Sequence, residues 1–97
     1  MSDLQTFAAL CLSTRASRYS GINAKARSVT AVEGMSRAEI MLRLRRCHGL
    51  DWPWERVCAV VADMVACGAM VLSSRARGGY RVASWEAIER SAQAVAA

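Results

Sequence analysis

The chain has little proline, glycine or histidine: one proline, six glycines and one histidine in 97 residues. So few breakers exclude a collagen-like repeat or a low-complexity linker, and a 54% hydrophobic fraction excludes a disordered tail. One histidine, His48, is too few for the usual catalytic sets. There is no Ser/His/Asp constellation and no Gly-rich phosphate loop, so neither a catalytic residue nor a cofactor is expected. Long apolar runs are also missing. No stretch approaches the roughly 18 to 20 apolar residues that span a bilayer. The opening MSDLQTF begins with an acid and lacks the apolar core of a signal peptide. The expectation is a cytoplasmic protein without a membrane partner, folded as one domain over 1–97.

Lysine is almost absent. Lys25 stands beside twelve arginines, and the formal net charge is +5. Between residues 35 and 81, eight basic residues face four acidic ones, so the excess lies mainly in the middle of the chain. A basic, arginine-rich chain favours phosphate or carboxylate partners, either nucleic acid or an acidic protein surface.

Four cysteines, Cys11, Cys47, Cys58 and Cys67, fall within helical patterns. Without a secretion signal they read as small apolar core residues rather than disulfides. Cys47 with His48 is the only local cluster, and no CxxC or HxxxH spacing accompanies it, so no structural metal is expected.

Periodicity places the elements. Ser2 and Gln5 form a capping-box pattern ahead of Leu4, Phe7, Ala8 and Cys11, predicting a helix over 3–12. The stretch from Ser13 to Ser28 contains loop and holds Arg15, Arg18, Lys25 and Arg27 with no acid between them. Asn23 is a candidate cap for a short helix ending at Gly34, with Ala26, Val29 and Val32 inward. Ser36 and Glu39 form a second capping box. Behind it, Ile40, Met41, Leu44 and Cys47 make an apolar stripe that stops at Gly49, while Glu39, Leu42, Arg43 and Arg46 project from the other side. The latter face reads as solvated, with Leu42 beside two arginines as a candidate partner contact.

Pro53 suits the first turn of a further helix, over about 53–67. Trp54, Val57, Cys58, Val61, Met64 and Val65 repeat at helical spacing, and Gly68 sits where a left-handed cap belongs. Trp52 and Trp54 read as core residues. Ala69–Ser73 and Tyr80–Ala83 flank Gly78-Gly79 and read as a hairpin. Ser84 then caps a last helix carrying Trp85, Ile88, Ala92 and Val95 on one face.

A capped helix, a turn, an amphipathic helix ending in MVACGAMVL and a hairpin in SSRARGGYRVA together resemble the winged helix-turn-helix family over roughly 23–84. The fold class implied is mainly α with a small β-hairpin, flanked by additional N- and C-terminal helices. By that resemblance, 53–67 is the recognition helix and Arg75, Arg77 and Arg81 lie on the wing. The outward face of the recognition helix is Glu55, Arg56, Ala59, Ala62, Asp63 and Ala66. It offers one base, two acids and three small residues, which suits a docked helix better than base edges.

Two functions follow as expectations. One is a DNA-binding regulator, dimeric, with Arg15, Arg18, Lys25, Arg27, Arg43, Arg46, Arg56, Arg75, Arg77 and Arg81 as candidate contacts to duplex DNA. The other is a small phage-encoded inhibitor that docks on a host protein complex. It would use Leu42, Ala59, Ala62, Asp63 and Ala66 as its interaction face on the same scaffold.

Overall fold

A computed structural model describes residues 2–16, 27–30, 34–74 and 79–93. The first helix, α1, runs Asp3–Ala16. Its capping box is closed: Ser2 N–H donates to Gln5 Oε1 (2.9 Å) and Gln5 N–H donates to Ser2 Oγ (3.1 Å). Asp3 in the first turn and Arg15 in the last complement the helix dipole. The helix passes the expected end at residue 12 because Thr14 is buried and spends its hydroxyl on the Leu10 and Cys11 carbonyls. Tertiary burial overrides the polar Ser13-Thr14 signal.

The expected short helix ending at Gly34 lies largely outside the described residues, and what is described differs from it. Arg27 is helical, but Ser28, Val29 and Thr30 are not. Ser28 Oγ accepts from Thr30 N–H at 3.2 Å, a local turn that competes with the helical ladder. Val29 is nonetheless fully buried, as the apolar pattern required.

Helix α2, Arg37–His48, is bounded as its caps dictate. Ser36 Oγ accepts from Glu39 N–H at 3.1 Å, and Gly49 closes the C-terminus in the left-handed region at φ 67°. Ile40 and Leu44 face the core. Helix α3, Trp54–Ala66, starts after Pro53, whose carbonyl accepts from Arg56 and Val57. Pro53 takes the position just before the first turn. The buried stripe of α3 is Val57, Val60, Val61 and Met64. Trp54 (44% exposed) and Val65 (41%) fall outside it. The inward face is therefore rotated from the expected one, with Val60 buried where Trp54 and Val65 were expected. Trp52, just before the helix, is buried.

Gly68 turns the chain in the left-handed region, and Ala69 N–H returns to the Met64 carbonyl. Strands β1 (Met70–Leu72) and β2 (Tyr80–Val82) pair antiparallel, with Met70 opposite Val82 and Leu72 opposite Tyr80. On the far side of β2, Met35 forms a bridge in which each of Met35 and Tyr80 donates to the other's carbonyl at 2.8 Å. Gly79, at φ 90°, lies against this bridge. A Cβ there would stand 2.7 Å from the Met35 carbonyl carbon. Helix α4, Trp85–Gln93, is capped by Ser84, whose Oγ accepts from Ala87 N–H at 3.2 Å. It buries Ala87, Ile88 and Ser91 and packs along α1.

The order α1-α2-α3-β1-β2-α4 is a winged helix-turn-helix-like arrangement with additional terminal helices. One core joins them: Phe7 and Cys11 of α1, Leu44 of α2, Val61 and Met64 of α3, and Ile88 of α4 are almost fully buried. A buried side chain of that size contributes about 1.5–3 kcal/mol. Of the cysteines, Cys11 is a core residue, while Cys67 is exposed, which corrects the expectation that all four pack inside. All four are free thiols.

Candidate functional site

Three exposed regions carry the residues singled out by sequence: the outer face of α2, the outer face of α3, and the hairpin. On α2, Glu39, Leu42, Arg43, Arg46 and Cys47 line an open groove of about 290 Å³. The helical spacing of 39, 42, 43 and 46 puts them on one side, as the sequence implied. Arg43 does more than line the groove. Its guanidinium donates to the Ser28 carbonyl at 2.9 Å, holding the 27–30 segment against α2. His48 Nε2 sits 2.8 Å from the Arg27 carbonyl and, since a carbonyl only accepts, donates to it. Arg46 and Arg45 are exposed, and Arg27 exposes its side chain.

On α3, Ala59, Ala62, Asp63 and Ala66 are exposed along with Glu55. Arg56 is exposed but engaged. Its Nε and one terminal nitrogen each donate to Asp3 at 2.6 Å, and its guanidinium carbon lies 4.7 Å from the centre of the Trp52 ring. The hydrogen bonds hold the Asp3 carboxyl below its ordinary pKa and push the arginine further up. With Arg56 paired to Asp3, the charge left over on this face is the acidic pair Glu55 and Asp63.

Two other arginines are likewise spread over aromatic rings. Arg15 of α1 lies 4.4 Å from the Trp85 ring centre, joining the end of α1 to the start of α4. Arg37 lies 5.5 Å from Trp54, with its guanidinium 3.6 Å from Cys58 Sγ. Sequence reasoning missed the Arg37–Trp54 pair, because it assigned Trp54 to the core.

In the hairpin, Arg81 is exposed at the centre of β2, opposite Val71. Arg18, Lys25, Arg75 and Arg77 lie outside the described residues. Burial pushes the Cys11 thiol up to about 12, which leaves it protonated and inert. Among the described residues no group of three His, Cys, Asp or Glu side chains could hold a metal ion. Nor is any helix among them long and apolar enough to cross a membrane. No protein-family model matches the chain, and neither the curated proteins nor the solved structures contain a significant match.

Proposed function

We propose that this protein is a non-catalytic regulator that binds duplex DNA through its winged-helix module. The observation that carries this reading is the exposure of α3 from Glu55 to Ala66 next to a hairpin whose central outward residue is Arg81. That is the juxtaposition a groove and its flanking phosphates require. Because Arg56 is paired with Asp3 and the rest of the α3 face is alanine and acid, base reading contributes little. Affinity rests on phosphate contacts from Arg81, from Arg75 and Arg77 in the connection between the strands, and from Arg46 on α2. The net charge of +5 supports the same partner. Fluorescence anisotropy with a mixed-sequence duplex at low salt tests it: micromolar-range binding is expected, and none rejects the reading.

The α3 face itself favours a second reading. Ala59, Ala62 and Ala66 are exposed in one row, and small side chains let a partner helix approach closely. On this reading the scaffold docks on a protein complex of a host, as a phage-encoded inhibitor would. Ala62→Arg would then abolish capture of that complex, whereas on the DNA reading it leaves duplex affinity undiminished.

A further inference from the structure

Two side chains of α2 are spent on the backbone of a distant segment. Arg27 is helical and Ser28 is not, so their carbonyls fall at a helix end, where the ladder offers no donor. Arg43 donates to the Ser28 carbonyl at 2.9 Å, and His48 Nε2 donates to the Arg27 carbonyl at 2.8 Å. Val29, the next residue, is fully buried in the core. The backbone of Arg27 is thus fixed against the last turn of α2 while its side chain stays exposed.

That turn also carries Arg45 and Arg46, both exposed. Among the described residues none of Arg27, Arg45 and Arg46 is in an ion pair, although Glu39 lines the groove with Arg46 and Asp51 follows soon after Gly49. The C-terminus of a helix presents about half a negative charge, far short of three guanidinium groups, so complementing the dipole does not account for them. A protein interface needs an apolar, aromatic centre. Among the described residues the exposed large apolar side chains are Trp54, Val65, Val71 and Leu72, on α3 and the hairpin rather than on α2. Unpaired cations without an apolar centre fit a phosphodiester backbone, where neutralising phosphates supplies the affinity.

We propose that Arg27, Arg45 and Arg46 form one phosphate-binding surface for nucleic acid, and that His48 is its positioning residue, holding Arg27 in place through the carbonyl bond. The proposal rests on the nucleic-acid reading above and adds to it Arg45, which the sequence pattern did not single out, and a role for His48. Fixing the backbone of Arg27 in advance lowers the ordering cost of its contact.

Anisotropy titrations of the full chain across a salt series, with a mixed-sequence duplex and with a single strand of the same length, test it. Arg27→Ala and Arg45→Ala should each weaken binding about three- to tenfold at low salt, and reduce the slope of log affinity against log salt by roughly 0.9 on the duplex or 0.7 on the single strand. Arg90→Ala removes the same charge from the exposed side of α4 and should leave the slope unchanged. His48→Ala should reproduce Arg27→Ala, and the double variant should lose no more than Arg27→Ala alone, because both act on one contact. His48→Gln, equally uncharged, keeps an N–H for the Arg27 carbonyl and should restore affinity. Circular dichroism checks folding, and if His48→Ala unfolds, His48→Met, which fills the space without a donor, takes its place. A slope unchanged by Arg27→Ala and Arg45→Ala while Arg81→Ala lowers it overturns the surface and leaves the duplex reading standing. An equal fall with Arg90→Ala, a net-charge effect, overturns the surface too. His48→Gln binding as weakly as His48→Ala overturns the positioning role. Single-strand binding that Arg27→Ala weakens, with no duplex binding, supports the surface and rejects the duplex reading alone. Binding of neither, the result expected if the surface meets an acidic protein, overturns both.

Discussion

Asp3 and Arg56, 53 residues apart in sequence, meet in a two-pronged ion pair that fastens the start of α1 to the start of α3. The pair is well exposed, so its contribution is screened and small. Its pH dependence has a definite sign. The folded-state pKa of Asp3 lies below the ordinary 3.8, so the stabilisation is present above that value and is lost as pH falls through the folded-state pKa. Asp3→Asn should lower the thermal midpoint slightly at neutral pH, with the difference from wild type vanishing at acid pH. An equal difference at all pH values would mean that packing, not charge, fastens the two helices.

Gly79 is the second position with a specific cost. Its φ of 90° and the backbone of Met35 at 2.7 Å from any added Cβ leave no room for a side chain. Gly79→Ala should destabilise the fold by about 1–3 kcal/mol in urea denaturation, through strain in a left-handed position and displacement of the Met35–Tyr80 bridge. A neutral effect would show that the bridge yields freely.

Ile88 and Leu72 separate core from surface. Ile88 of α4 is fully buried in the core, and Ile88→Ala should cost about 2–5 kcal/mol. Leu72 is 60% exposed, and Leu72→Ala should change monomer stability by no more than about 0.5 kcal/mol. The same denaturation series reads both.

The thiols should react in the order of their exposure. Cys67 is exposed and should be alkylated quickly in the native protein, whereas Cys11, buried and pushed up to about 12, should react only on unfolding. Mass spectrometry of peptides after timed alkylation resolves the order. Because the thiols are free, reductant should leave the thermal midpoint unchanged.

What the sequence made legible was local chemistry. The Ser2–Gln5 and Ser36–Glu39 boxes and the glycines at 49 and 68 each act within a few residues, and each helix end they mark is where the structure has it. The register of α3 was less legible. Trp54 and Val65 match helical spacing as well as Val60 does, and only the tertiary packing places Val60 in the interior. The Met35–Tyr80 bridge and the Asp3–Arg56 pair left no local signal, because each joins distant segments through one residue on either side. For the candidate site, periodicity put Glu39, Leu42, Arg43 and Arg46 on one side of α2 and Ala59, Ala62, Asp63 and Ala66 on the outer face of α3, but it set Cys47, which joins the α2 groove, on the opposite stripe. It did not show that Arg15 would lie over Trp85 or that Arg56 would pair with Asp3.

The central claim is that the wing arginines hold duplex DNA by its phosphates, and the salt dependence of affinity tests it most directly. Anisotropy titrations across a salt series should give a linear fall of log affinity with log salt for the wild type. Arg81→Ala, and Arg75→Ala combined with Arg77→Ala, should weaken binding to all duplexes alike and reduce the slope by roughly 0.9 for each phosphate contact removed. Absence of duplex binding at low salt, or a slope unchanged by all three substitutions, would contradict the account.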